Sequence, residues 1–337
     1  MRNEEKYTKF ALVREMMETP EILRSFKLDG AEEAAAQIEQ AGKLFLTGEG
    51  SSRLFPAKNI MAQAMRDGAG IEILTDGAMQ AMEYDLSSFV IGAASNSGRT
   101  REVILLAKAL SEAGHDKILG LTANKGTKLE SLAHQTFVLS CGKEDAVAAT
   151  KSVAEQALFY QALIAKIQGR SLDVASLGDA CEDALTQTID ESVVKDIAKA
   201  PRIYFAGRND GVAEELTLKT NEITRKSSDF LEGTYLLHGV EEVMNAGEAV
   251  ILIDPYRSEL ELIKKFISDG VGAKVIAIAT EETIFPTIKV KDVGELTTYV
   301  SLAAGWNVLV EVGIALGIDL DKPERARKIG NVFAEED

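Results

Sequence analysis

Short apolar runs alternate with longer amphipathic stretches along most of the chain, a pattern that predicts strands followed by helices. Residues 8–40 read as helical, with Phe10, Val13, Met16 and Met17 on one stripe, Pro20 as punctuation, and a second helix over Ala31–Ala41. A strand at Lys43–Thr47 runs into Gly48-Glu49-Gly50-Ser51-Ser52, and a helix starts at about Pro56. Next come a strand at Gly70–Leu74, a short helix, and an apolar run Ser88–Ala94 that stops abruptly at Ser95-Asn96-Ser97-Gly98 before a helix over Arg101–Ala113. Strands at Lys117–Thr122 and Thr136–Ser140 and a long helix over about Val147–Gln168 complete the set. This alternation predicts an α/β fold with a mostly parallel sheet covered by helices on both faces.

The pattern then restarts. Arg202–Ala206 (RIYFA) repeats Lys43–Thr47 (KLFLT) as a strand ending in glycine, with Gly207 lying 159 residues after Gly48. The same offset sets Glu261 over Glu102 and Ile263 over Ile104, and Lys274–Ala279 repeats Lys117–Thr122 at an offset of 157. Three matches in order predict a tandem duplication of one α/β unit, with its boundary within 168–198. The expected organisation is N-terminal helices (1–40), a first domain (41–170), a second domain (190–318) and a C-terminal tail (319–337).

Charge narrows the partners. The 337 residues carry 37 basic and 53 acidic side chains, a formal charge of −16, so neither nucleic acid nor an anionic membrane is an expected partner. An acidic protein that binds an anion must use local donors, most simply N–H groups at helix starts. Cys141 and Cys181 are too few for a disulfide framework, and His115, His134 and His238 show no metal-ligand spacing, so no metal is expected. The charged start of the chain has no apolar core of a signal peptide, and no apolar run is long enough to span a bilayer; a cytoplasmic location is expected.

Candidate chemistry sits where the two halves differ. Ser95-Asn96-Ser97-Gly98-Arg99-Thr100 places three hydroxyls, an amide and a glycine at a strand-to-helix junction, where ligands bind in open α/β sheets. A capping role accounts for one serine; three hydroxyls in six residues favour an anion site. Loop 48–52 offers similar chemistry on the neighbouring strand. In the second half, Ser95 is replaced by Asp254, Ser97 by Tyr256, Gly98 by Arg257 and Thr100 by Glu259, so one anion site is expected rather than two. The second half instead carries a helix over about Gly211–Arg225 with Val212, Leu216, Lys219 and Ile223 on one stripe and Glu222 adjacent to Lys219. A lysine on an apolar stripe needs a partner, and a paired Lys/Glu also suits proton abstraction beside a carbonyl. His238 follows among small and apolar residues and is poised for proton transfer near neutral pH.

These motifs resemble those of double-SIS (sugar isomerase) proteins, and in particular the isomerase half of glucosamine-6-phosphate synthase, over nearly the whole chain. The family's Gly-Thr-Ser loop is matched by Gly50-Ser51-Ser52, its Ser-Gln-Ser-Gly-x-Thr phosphate loop by Ser95–Thr100, and its Glu-x-x-Val-Ala-Ser-Thr-Lys segment by Glu144–Lys151. Its Leu-Lys-x-x-Glu-Ile helix and following His-Gly are matched by Leu218–Ile223 and His238-Gly239, sixteen residues after Glu222. Its tail is matched by Asp319-Leu320-Asp321-Lys322-Pro323 and Lys328. Ala149 departs from the family serine and Val240 from its usual proline.

The resemblance implies two tandem SIS domains, each with a mostly parallel five-stranded sheet, and a cofactor-independent aldose–ketose isomerase-type enzyme for a 6-phosphorylated hexose or amino sugar. It implies binding by Gly50, Ser51, Ser52, Ser95, Asn96, Ser97, Thr100 and Ala148. Glu222 would move the proton between C1 and C2 with support from Lys219, His238 would open the ring from across a homodimer interface, and Lys328 would meet the open-chain carbonyl. Amine release, by a deaminase or a fructosamine 6-phosphate deglycase, is an alternative. So is isomerisation of a 6-sulfonated sugar, which suits neutral donors. A non-catalytic sugar-phosphate sensor is the competing class.

Overall fold

Along Lys43–Thr47 (β1), Leu44 and Leu46 enter one apolar cluster and Phe45 enters another. The same alternation holds in Val90–Ala94 (β3), where Val90 and Ala94 face the first cluster and Ile91 and Ala93 the second. Strands apolar on both faces must be covered on both, the signature of a parallel sheet between helical layers. Glu72–Asp76 (β2), Ile118–Thr122 (β4) and Gln135–Val138 (β5) complete a sheet in the order β2-β1-β3-β4-β5, and every pairing in it is parallel. A second sheet contains Arg202–Gly207 (β6), Ser227–Glu232 (β7), Ala249–Ile253 (β8), Lys274–Ala279 (β9) and Thr287–Lys289 (β10). Its order, β10-β9-β8-β6-β7, is the same topology as the first, again all parallel.

The computed structural model describes residues 1, 4–326 and 332–334. The chain divides into two compact units. One, the β1–β5 unit, comprises Glu21–Glu144, Ala149–Val174 and the described residues of 326–337. The other, the β6–β10 unit, comprises Met1–Pro20, Asp145–Ala148 and Ala175–Arg325.

The helices are Glu5–Thr8 (α1), Ala11–Arg24 (α2), Glu32–Ala41 (α3), Leu54–Asp67 (α4), Ala78–Ala81 (α5), Arg101–Glu112 (α6) and Lys151–Ile167 (α7). They continue with Val174–Thr186 (α8), Glu191–Lys199 (α9), Val212–Thr224 (α10), Leu260–Ile263 (α11) and Thr297–Ala315 (α12). Pro20 does not interrupt α2, contrary to its reading as punctuation; it lies inside the helix, where the buried neighbour Leu23 holds the following turn. The strand expected at residues 70–74 begins two residues later, and α7 starts at Lys151 rather than near Val147. Residues 145–150 are held instead by side-chain acceptors, described below.

One expectation needs correction. The stretch 294–315 is long and apolar enough to cross a membrane, with a mean hydropathy of 1.3, although no such run was read from the sequence. It is a core helix: 78% of that window is buried inside the protein. Within it, Asn307 is fully buried and donates from Nδ2 to the carbonyls of Ala184 (3.0 Å) and Gln187 (2.9 Å), which ties α12 to the end of α8.

Candidate active site

The loop at the end of β3 starts inside the sheet, where the Ser95 N–H donates to the Leu121 carbonyl at 3.0 Å. The Gly98 N–H then closes a turn onto the Ser95 carbonyl at 2.9 Å. Gly98 has φ 64°, and a Cβ there would come within 2.3–2.5 Å of the Thr127 side chain, so both backbone and space demand glycine. The loop delivers the chain into α6, whose N-cap is Thr100.

The loop's polar side chains do not play equal parts. Ser95 is fully buried, and its Oγ accepts the Thr100 N–H at 3.2 Å and lies 2.7 Å from Thr100 Oγ1. With Ser95 as donor in that last bond, Thr100 keeps its hydroxyl hydrogen for a ligand. Ser97 Oγ accepts the Arg99 N–H at 3.2 Å, which also leaves its hydrogen available. Asn96 differs from the sequence reading of an amide donor. Its Nδ2 donates to Glu144 Oε2 (2.8 Å) and Ser152 Oγ (3.2 Å), so both amide hydrogens are committed to the protein. Its main-chain carbonyl accepts from the Ala123 N–H, Thr122 Oγ1 and Asn124 Nδ2 at 2.8–3.1 Å. Asn96 therefore anchors the loop, while the hydroxyls of Ser97 and Thr100 and the exposed Arg99 guanidinium are its other side-chain polar groups.

Behind the loop lie two carboxylates that the sequence reading gave no role. Glu144, 2% exposed, accepts the Thr150 N–H (2.8 Å), the Ser152 N–H (3.4 Å) and the Ser152 hydroxyl (2.6 Å) besides the Asn96 amide. It thus fastens the start of α7 to the anion loop and satisfies donors that a helix start leaves open. Glu155 accepts the Ser140 N–H and hydroxyl (2.8 and 2.7 Å) and the Cys141 N–H (2.7 Å). A signal was present: acidic residues flanking a helix start among small residues are capping candidates.

Loop 48–52 packs against the end of β3. A Cβ on Gly48 would meet the Ser52 carbonyl at 2.8 Å and the Ala94 carbonyl at 3.1 Å, so the close approach requires glycine. Gly50 opens a short 3-10 turn, Gly50–Ser52, in which Ser51 is buried and Ser52 half-buried. Glu49 reaches across to accept the Ala78 N–H at 3.0 Å. Burial pushes its carboxyl above the ordinary range; the Ala78 bond opposes this and the charges of Glu102 and Asp76 add to it. The Tyr84 hydroxyl, donating at 2.6 Å, holds the Asp76 carboxyl below its ordinary range.

In the β6–β10 unit the corresponding strand end carries an ion pair in place of hydroxyls. Asp254, with φ 41°, accepts from Arg208 Nε at 2.5 Å, and that guanidinium stacks 4.4 Å from the Tyr256 ring centre. The buried Ala148 also belongs to this unit, in a segment whose Asp145 and Ala146 N–H groups are held by Glu15.

Helix α10 is flanked by its N-cap Gly211 and its C-cap Arg225, both in the left-handed region, so it lies one residue inside the expected bounds at each end. Its buried stripe carries Val212, Leu216, Lys219 and Ile223. Lys219 is fully buried, and its Nζ lies 2.6 Å from Glu222 Oε2 and 3.4 Å from Glu215 Oε1. Glu215, also fully buried, escaped the sequence reading although it lies four residues before the lysine on the same stripe. The ammonium thus sits between one inaccessible carboxylate and one, Glu222, whose side chain is 24% exposed. Glu222 is the member of the trio that can reach a substrate.

Arg225 ties the chain beyond α12 to the end of this helix. It donates to the Glu324 carboxylate (2.8 Å) and to the carbonyls of Asp319 (3.2 Å) and Lys322 (2.6 Å). His238 is exposed at the end of the turn Tyr235–Leu237, and among the described residues its imidazole has no hydrogen bond or ion pair. Lys328 lies outside the described residues. Cys141 and Cys181 are buried, which pushes both thiols up, that of Cys181 to about 12; neither is a nucleophile at neutral pH.

Residues 37–166, which include loop 95–100, match the SIS domain family. The chain is 27% identical over 252 residues to a glutamine–fructose-6-phosphate aminotransferase (isomerizing) of Staphylococcus aureus, covering 69% of this chain and 42% of that protein. It thus spans about two-fifths of the length of the curated relatives it matches. Among solved structures, it resembles a tagatose-6-phosphate ketose/aldose isomerase from Escherichia coli, with TM-score 0.79, 20% identity, and coverage of 96% and 99% of the two chains. It also resembles a glucosamine-6-phosphate deaminase from Thermotoga maritima, with TM-score 0.73, 20% identity, and coverage of 94% and 98%. At these identities the two structures speak for the fold.

Proposed function

We propose that an SIS domain at residues 37–166 and a diverged second copy of it make this chain a phosphosugar aldose–ketose isomerase-type enzyme. Its substrate is a 6-phosphorylated hexose or amino sugar, bound through Ser97, Thr100 and the N–H groups around loop 95–100, with Ser51 and Ser52 beside them. The observation that carries this reading is the Lys219–Glu222 pair. A buried ammonium 2.6 Å from a partly exposed carboxylate fixes that carboxylate in direction where a substrate can meet it.

In the proposed reaction the open-chain sugar loses its C2 proton to Glu222. The electrons form an enediol, or an enolamine when C2 bears nitrogen, and the same carboxyl returns the proton to C1. Lys219 holds Glu222 in place throughout. His238 transfers the proton that opens the ring; its unpartnered, exposed imidazole fits a role at the site of a second subunit in a homodimer. Lys328 meets the open-chain carbonyl. Amine release would use the same base, and the loop's neutral donors also suit a 6-sulfonate.

The test is a substrate panel of glucose 6-phosphate, glucosamine 6-phosphate, fructosamine 6-phosphates and 6-sulfonated glucose, with products followed by mass and released amine assayed. Isomerised or deaminated product, lost in Glu222→Gln, supports the reading. Tight binding of a panel member with no turnover by the wild-type chain would place the protein among sensors instead.

A further inference from the structure

The last described residues of the chain fold back onto the anion loop. Val332 pairs with Thr100 in an antiparallel bridge, and the Phe333 N–H donates to the Arg99 carbonyl at 3.0 Å. The Phe333 ring packs, half-buried, on the apolar cluster that holds Val103, Ile104 and Leu129, with Lys128 Nζ 5.9 Å from its centre. Each partner borders the same loop. Arg99 and Thr100 end it, Val103 and Ile104 form the first turn of α6, and the Leu129 N–H donates to the Gly98 carbonyl at 3.1 Å.

Thr100 is the sensitive point. It is the N-cap of α6, with φ −59° and ψ 119°, and its side chain makes no cap bond of its own. Its hydroxyl oxygen lies instead 2.7 Å from Ser95 Oγ, and the position of that oxygen follows the Thr100 backbone. In a loop that offers hydroxyls to an anion, affinity comes from donor positions fixed before the ligand arrives.

We infer that Phe333 is a positioning residue for the anion loop. Its ring and N–H dock the Val332–Phe333 segment on Arg99 and Thr100 and so fix the position of the Thr100 hydroxyl. This rests on the reading of loop 95–100 as the site of the substrate's anion. It also carries a reciprocal consequence: if the docked segment favours anion binding, anion binding favours docking by the same factor.

The experiment uses the full chain and inorganic phosphate as probe, with Phe333→Ala and Phe333→Leu beside the wild type. Phosphate affinity, the KM and kcat for a turned-over sugar phosphate, melting temperature and hydrogen exchange at the Phe333 amide are measured. Phe333→Ala is expected to weaken phosphate binding about tenfold and raise KM similarly with little change in kcat, the effect of one misdirected hydrogen bond. Phe333→Leu, which keeps an apolar plug, is expected to recover most of it. In the wild type, saturating phosphate is expected to slow exchange at the Phe333 amide, which a merely structural contact would not produce. Unchanged phosphate affinity in Phe333→Ala, or unchanged exchange on phosphate addition, overturns the assignment while leaving the loop reading intact. A wild-type chain that binds no phosphate overturns both.

Discussion

Lys219 and Glu222, one helical turn apart on α10, form a 2.6 Å ion pair in which the lysine is fully buried and the glutamate is not. Glu215, 3.4 Å away on the other side, gives the ammonium a second carboxylate. The trio has a net negative charge in an apolar setting, so each member depends on the others.

That dependence can be measured as stability. Lys219→Met takes the ammonium away from between the two carboxylates, one of them fully buried, and is expected to cost about 3–5 kcal/mol in chemical denaturation. Adding Glu215→Gln to Lys219→Met is expected to return part of that loss. Two additive destabilisations would contradict the coupling.

The anion loop separates donors from scaffolding. Ser97→Ala removes a hydroxyl left to the ligand and is expected to raise KM about 10- to 100-fold with little change in melting temperature. Ser95→Ala removes a fully buried acceptor of the Thr100 N–H and is expected to raise KM and lower the melting temperature together. If Ser97→Ala binds substrate as the wild type does, the division of labour is wrong.

Glu49 predicts a pH dependence. Its folded-state carboxyl is raised above the ordinary value of 4.5, chiefly by burial, so folding favours its protonated form. The stability linked to it is fully present below that ordinary value and is lost as pH rises through the raised one. Glu49→Gln keeps an acceptor for the Ala78 N–H without the charge. Relative to this variant, the wild type is expected to lose melting temperature as pH rises from about 4.5 toward neutrality. A constant difference across that range would refute the linkage.

Asn307 tests the second core. Asn307→Ala leaves the carbonyls of Ala184 and Gln187 without its amide and opens a small void in α12. A loss of about 1–3 kcal/mol is expected in denaturant titration. Asn307→Asp, which keeps the size but cannot donate when ionised, is expected to lose at least as much.

Much of the architecture was legible because period and punctuation agreed. The strands at residues 43–47 and 274–279 match the structure, and α10 lies one residue inside its expected bounds. The first strand runs into Gly48, and α10 is flanked by Gly211 and Arg225 in the left-handed conformation. Pro20 misled because proline's local preference yields where neighbouring side chains are buried. Residues 147–150 misled for the opposite reason: they lie between N–H groups of Asp145 and Ala146 held by Glu15 and that of Thr150 held by Glu144, and the helix starts only after them.

The candidate site was legible by residue type but not by role. Ser95, Asn96, Ser97 and Thr100 look alike as polar loop residues. Only the burial of Ser95 and the commitment of the Asn96 amide to Glu144 and Ser152 separate scaffolding from donors. Glu215 was hidden because its partner, Lys219, was already paired on paper with Glu222. The tail end at Val332–Phe333 was out of reach, because its partners Arg99 and Thr100 lie more than 230 residues earlier in the chain.

In the proposed reaction Glu222 moves a proton at C2 of a bound sugar phosphate. Its most direct test is solvent exchange: incubation of the panel sugars in deuterium oxide with wild-type chain and with Glu222→Gln, followed by mass and proton resonance at C1 and C2. Deuterium is expected at C2 or C1 with the wild type, and none above background with Glu222→Gln, which still binds the sugar. Equal exchange by the two proteins would contradict it.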